Sequence, residues 1–158
     1  MKTLIAYATR YGTTEECARQ LAQRLPGEVE LRDIRKRKRE GIDGYDAIVV
    51  AGPIYAGRVM KAVERFCEVN RGALLRTTVG LFICCLYSGE RAQAELEAAF
   101  PPWLTAHARV RRVVGGAIAF ERLTPVDRLL VRPVVTSDIR TIRLEELDAI
   151  AEALKGTR

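Results

Sequence analysis

Histidine is almost absent from this sequence: His107 is the only one in 158 residues. The four cysteines, Cys17, Cys67, Cys84 and Cys85, show no CxxC spacing, so neither residue type offers the ligand set of a zinc site, and no metal is expected. Cys17 and Cys67 read as small buried residues on helix faces. Cys84-Cys85 lies on a predicted strand, where adjacent side chains point to opposite faces and do not bridge. No apolar run approaches membrane-spanning length, and Met1-Lys2 leads straight into a strand without a cleavable leader, so a cytoplasmic protein is expected. Aromatics make up only 6% of the chain, and none interleaves with the basic run Arg35-Lys36-Arg37-Lys38-Arg39. That run reads as a solvated loop and lacks the stacking platform of a nucleic-acid binder. Linkers, repeats and low-complexity tracts are absent, as are the Walker A and GxGxxG phosphate motifs.

Hydrophobic residues make up 48% of the sequence, enough to build the core of a single domain over residues 1–158 without disulfides or metal. The formal net charge is +6, with 21 arginines against 5 lysines. Such a surface attracts anionic partners.

The most informative stretch is Thr9-Arg10-Tyr11-Gly12-Thr13-Thr14, which follows the apolar strand Thr3 to Ala8 and leads into a helix marked by Cys17, Leu21, Ala22 and Leu25. Gly12 permits a tight turn, and Thr13 or Thr14 can cap the helix while donating a hydroxyl to an anion. The positive end of the helix dipole favours a phosphate there. At this level a plain capped turn between strand and helix stands beside the phosphate reading.

Farther on, Glu28 to Ile34 alternates like an edge strand, and Asp46 to Ala51 is nearly all apolar, as in a strand buried on both faces; Gly52-Pro53 is expected to end it. The spacing predicts a helix over Arg58 to Asn70, a buried strand over Val79 to Cys85, a helix over Glu90 to Phe100 stopped by Pro101-Pro102, a fifth strand over Val113 to Phe120, and a closing helix over Leu144 to Leu154. Alternating strands and helices predict an α/β three-layer sandwich around a five-stranded parallel sheet of order 2-1-3-4-5.

Ligands in such sheets bind beyond the carboxyl ends of the strands, where the order reverses. Three loops meet there: Thr9 to Thr14; Gly52 to Arg58, with Pro53, Ile54, Tyr55, Ala56 and Gly57; and Leu86 to Glu90, with Tyr87, Ser88 and Gly89. Tyr55 and Tyr87 beside glycines suit a flat heteroaromatic ligand, although either ring is also compatible with ordinary loop packing.

With these three loops in place, the chain resembles the flavodoxin family over nearly its whole length, from Lys2 through the last helix. The resemblance implies a flavodoxin-like fold and FMN as cofactor. Thr9, Thr13 and Thr14 match the phosphate-binding hydroxyls, with Arg10, Tyr11 and Gly12 between them; Pro53 to Gly57 and Leu86, Tyr87, Ser88 and Gly89 match the loops that enclose the flavin ring. Gly57 matches the position of a redox-linked hinge, and the flavin itself supplies the chemistry, so no catalytic side chain is implied. The Thr-Arg-x-Gly-x-Thr loop and Tyr45-Asp46 resemble the subgroup of menaquinone-dependent protoporphyrinogen IX dehydrogenases. That subgroup carries an added segment before the last helix, which corresponds here to Glu121 to Thr141. Pro125 and Pro133 bracket a short helix in it with Val126, Leu129 and Leu130 on one face and Arg128 and Arg132 beside them. Such a turn can cap the sheet edge or make peripheral contact with an anionic membrane.

Two functions follow. One is an oxidoreductase passing electrons from a porphyrinogen-like anionic substrate through FMN to a quinone, with Arg58, Arg91, Arg122 and Arg128 near the mouth. The other is a soluble electron carrier that docks with a redox partner protein, a class for which a charge of +6 is unusual.

Overall fold

The computed structural model describes residues 1–37, 41–133 and 137–156. Lys38 and Arg39 of the basic run, and residues 134–136 of the added segment, lie outside the described residues. Three strands run through the middle: β1 (Lys2–Tyr7), β3 (Ala47–Tyr55) and β5 (Thr78–Cys84), with β2 (Glu28–Asp33) on one edge and β6 (Val110–Val113) on the other. All five pair in parallel in the order β2-β1-β3-β5-β6. Counting only the parallel strands, this is the expected 2-1-3-4-5.

Period-two alternation divides the central strands between two apolar layers. Leu4, Ala6, Ile48, Val50, Leu81 and Ile83 pack with Val63 and Cys67 of α2 (Lys61–Val69), Leu74 of α3 (Arg71–Leu75), Leu96 of α4 (Gly89–Ala99) and Leu104 of α5 (Pro102–His107). Ile5, Tyr7, Val49, Ala51 and Phe82 pack with Cys17 and Leu21 of α1 (Thr13–Ala22) and with Leu147, Ile150 and Leu154 of α7 (Leu144–Lys155). Cys84 belongs to the second layer and Cys85 to the first, as adjacent strand residues should. All four cysteines are free and buried.

Four expectations need correction. Gly52-Pro53 does not end β3, which continues to Tyr55. The Ala51 carbonyl accepts from the Ala8 amide, so Pro53, two residues on, turns its imide nitrogen to the same side, past the end of β1, where no ladder donor is required. The helix expected from Arg58 starts at Lys61, because β4 (Arg58–Val59) folds back on β3 as a hairpin. The short α3 and α5 were not foreseen. The fifth strand lies earlier than expected, at Val110–Val113; Ala117–Ile118 instead forms β7, antiparallel to β8 (Ile139–Arg140). Gly115 has φ of 88°, and this turn takes the chain off the sheet.

The segment after β7 forms a 3-10 turn at Phe120–Arg122 and then α6 (Pro125–Val131), capped by the Thr124 hydroxyl, which accepts from the Asp127 amide. This is the short helix bracketed by prolines in the sequence. Among the described residues no helix is long and apolar enough to cross a membrane.

Candidate functional site

A cavity of about 670 Å³ opens beyond the carboxyl ends of β1, β3 and β5. Its volume falls within the range of small-molecule and cofactor sites, roughly 300–1,000 Å³. Of the residues singled out by sequence, Tyr11, Gly12, Thr13, Pro53, Ile54, Tyr55, Ala56, Gly57, Leu86 and Tyr87 line it, so all three loops meet there. Arg91 and Arg122 line it as well, while Arg58 and Arg128 do not.

The remaining loop residues stand behind the wall. Thr9 accepts the Gly12 amide on Oγ1 at 2.9 Å and shapes the turn. Ser88 and Gly89 start α4. Arg10 is drawn away to Asp127 of α6, at 2.6 Å.

Gly12 takes φ of 93° and sits at the N-cap of α1 without any side-chain cap. The first intrahelical bond runs from the Glu16 amide to the Gly12 carbonyl, so the amides of Thr13, Thr14 and Glu15 have no partner within the helix. The Thr14 hydroxyl beside them is sealed from solvent, has no hydrogen-bond partner, and neighbours the Cys84 thiol. A buried hydroxyl left unpaired costs about 1–3 kcal/mol. Uncapped amides and an orphaned hydroxyl at a helix N-terminus are the donor set that a phosphate satisfies, so the residues present fit the group that the sequence suggests.

Loop two is a tight hairpin. Ala56 and Gly57 take φ of 48° and 75°, the two positive values of a two-residue primed turn. Ala56 is the only non-glycine with positive φ among the described residues, a local strain of the kind found at ligand clamps. The Tyr55 ring meets Tyr11 edge-on at 6.2 Å, with the Arg10 guanidinium 5.8 Å from its centroid. Burial pushes the Tyr55 phenol far above its ordinary ionisation, so it remains a donor. Across the cavity, the Arg91 guanidinium sits 3.5 Å from the Tyr87 ring centroid.

The wall that sequence reasoning missed comes from Gly116 to Ala119, after β6, and from Leu123, Asp127, Leu130, Val131 and, in β8, Ile139 and Arg140 of the segment Glu121 to Thr141. Arg140 pairs with Glu16 of α1, and that hydrogen bond holds the Glu16 carboxyl below its usual range. Glu95 of α4 also reaches the cavity beside Cys85, whose thiol burial and Glu95 together push up to about 11. Neither Arg91 nor Arg122 has a carboxylate partner among the described residues. Both are available to an anion.

Thr14→Val tests the phosphate end of the site. The valine keeps the shape but removes the unpaired hydroxyl, so the ligand-free protein should be as stable as wild type or more so. Affinity for a phosphate-bearing ligand should fall on the order of tenfold, the worth of one hydrogen bond to a charged group. Paired melting and ligand-titration curves would show it; equal loss of stability and affinity would mean that Thr14 is structural only.

The chain belongs to the flavodoxin domain family, whose model matches residues 4–141. Among solved structures it is similar to rubredoxin oxygen:oxidoreductase from Desulfovibrio gigas (TM-score 0.59, 20% identity), covering 99% of this chain and 36% of that one. The chain thus spans about a third of the Desulfovibrio protein. It is also similar to a flavodoxin, WrbA-like protein from Agrobacterium tumefaciens (TM-score 0.57, 14% identity, 99% of each chain). A third likeness is to a flavoprotein from Lactobacillus acidophilus solved in complex with FMN (TM-score 0.50, 16% identity), covering 73% of this chain and 91% of that one. No curated protein matches the sequence.

Proposed function

We propose that the cavity holds FMN and that the protein is an FMN-dependent oxidoreductase of the protoporphyrinogen IX dehydrogenase type, passing electrons from an organic substrate to a quinone. The observation that carries the cofactor is the uncapped α1 N-terminus, where Gly12 and Thr13 border an apolar cavity that Tyr55 and Tyr87 also line. Thr9 to Thr14 would hold the phosphate, and Pro53 to Gly57 with Leu86 to Gly89 would flank the ring. Bound FMN supplies hydride and single-electron chemistry. The protein's own residues orient the ring, keep water from its buried edge and present cations to the substrate.

Two features support an organic substrate. Arg91 and Arg122, without carboxylate partners, suit the anionic groups of a porphyrinogen-like molecule. The net charge of +6 also differs from the acidic surface with which small carriers dock on basic partners. The outer face of α6 exposes Val126 and Leu129, with Arg132 exposed just after the helix, which supports peripheral contact of a cytoplasmic protein with an anionic membrane, where a quinone is met. The alternative is an electron carrier, with α6 docking on a redox partner protein.

The purified protein with added FMN should show oxidised-flavin absorbance and near-stoichiometric bound FMN, and should turn over protoporphyrinogen with a menaquinone analogue, faster on anionic vesicles. Fast reduction by a ferredoxin-type reductase with no turnover on any quinone would favour the carrier. A colourless protein indifferent to FMN would remove the cofactor from both readings.

A further inference from the structure

The cation of loop one already holds an anion. Asp127 of α6 accepts from Arg10 at 2.6 Å and from the Tyr11 hydroxyl, and its side chain is only 12% exposed. The Tyr11 oxygen in turn accepts from the Thr124 amide at 3.2 Å. Tyr11 and Arg10 therefore fasten the first turn of α6 to loop one, from 116 positions away in sequence.

Little else seats this helix. Its seven residues are too few to be helical alone, and Val126, Leu129 and Leu130 are 67%, 68% and 62% exposed, so their apolar burial contributes little. What holds α6 is chiefly the Asp127 cluster, with Leu123 buried just before it. An element tied down by one polar clasp is released when that clasp finds another partner.

We propose that Asp127 is an internal competitor of the cofactor phosphate for Arg10, so that phosphate affinity and the seating of α6 are coupled. The inference rests on FMN binding at loop one. A phosphate at the α1 N-terminus places a second anion beside the Asp127 carboxylate. The two repel, while both are drawn to the one guanidinium of the loop. Asp127, only 12% exposed where it sits, returns to water when the first turn of α6 lifts, and little apolar contact opposes that movement. The phosphate, held by backbone amides, cannot leave without the whole ligand. Arg10 then passes to the phosphate and α6 loosens over the cavity mouth. Apparent affinity is reduced by the fraction of molecules in which Arg10 is free; engagement by Asp127 in nine molecules of ten costs about tenfold.

Asp127 acts through Arg10 and Tyr11, so it is a positioning residue, and the test compares FMN with riboflavin, which brings the same ring without phosphate. Titrations followed by flavin fluorescence should show Asp127→Asn binding FMN on the order of tenfold more tightly than wild type, with riboflavin affinity unchanged and Asp127→Glu close to wild type. Amide hydrogen exchange over residues 123–131 of the wild-type protein should rise with FMN and not with riboflavin. This second measurement stands even if Asp127→Asn does not fold. FMN bound with equal or lower affinity by Asp127→Asn, or residues 123–131 protected by FMN, would overturn the competition while leaving the cofactor in place. Binding of neither flavin would remove the cofactor reading and this inference with it.

Discussion

Gly115→Ala is expected to lower the thermal midpoint by about 10 °C, from a loss of about 3 kcal/mol. The backbone at Gly115 has φ of 88°, and a methyl group added there would meet the Thr141 carbonyl oxygen at 1.9 Å and its carbon at 2.8 Å. Both are backbone atoms, so no side chain can turn aside. The surrounding bonds fix the segment from both directions: the Cys85 amide donates to the Gly115 carbonyl at 3.1 Å, and the Thr141 amide donates to the Gly116 carbonyl at 2.7 Å. Loop three, the turn after β6 and the strand returning from α6 are thus joined at one crossing that forms a wall of the cavity. Gly57→Ala is the matched control. Its φ of 75° carries similar backbone strain, but nothing lies within 4 Å of the added carbon, so about 1 kcal/mol is expected. Calorimetry of both variants checks the contrast, and a Gly115→Ala midpoint within a degree of wild type would refute the crossing as the cause.

The second large effect lies away from the cavity. Arg32 of β2 is nearly buried, its side chain 4% exposed, and it donates to Glu30 at 2.9 Å, to the Gly41 carbonyl at 2.9 Å and to the Tyr45 hydroxyl at 3.0 Å. Glu30→Ala would take one carboxylate from this guanidinium, which costs about 3 kcal/mol, the low end for a broken buried pair because Arg32 keeps other partners, the Gly41 carbonyl and the Tyr45 hydroxyl among them. The Tyr45 hydroxyl and then Arg32 hold the Glu30 carboxyl below its usual range. A depressed carboxylate contributes stability that is complete above its unfolded-state pKa and lost as pH falls through the folded value. Denaturant titrations from about pH 7 down to about pH 3 should therefore show a shallower acid limb for Glu30→Gln than for wild type. Parallel acid limbs would mean that the pair carries no linkage.

What the sequence revealed was what is local. Thr9 to Thr14 could be placed because a strand, a glycine turn and a helix start follow one another within a few residues. The central strands were recognisable because Ile48, Val49 and Val50 are buried on both faces and their run is unbroken. The fifth strand was misplaced for a tertiary reason: Val113 to Phe120 is apolar enough for a strand, but the backbone of Thr141 and Cys85 around Gly115-Gly116 forces the chain off the sheet. Arg111 and Arg112, which do lie in β6, mask an edge strand by their charge. Of the cavity, the three loops were legible and the far wall was not. The helix Pro125–Val131 could be read from its prolines, yet nothing in residue spacing pairs Asp127 with Tyr11 and Arg10.

The sulfur atoms of this chain have a bearing on how it withstands oxidation. The Cys17 sulfur, 3.8 Å away, and burial push the Cys84 thiol up, while burial and nearby Glu68 push Cys67 up to about 12. With Cys85 likewise raised, these side chains stay protonated near neutrality, and a protonated thiol is a poor nucleophile and a slow target for peroxide. Cys84 and Cys85 border the cavity, yet as protonated thiols they present no thiolate to an oxidant that enters it, so the wall of the site is inert where its sulfur is closest.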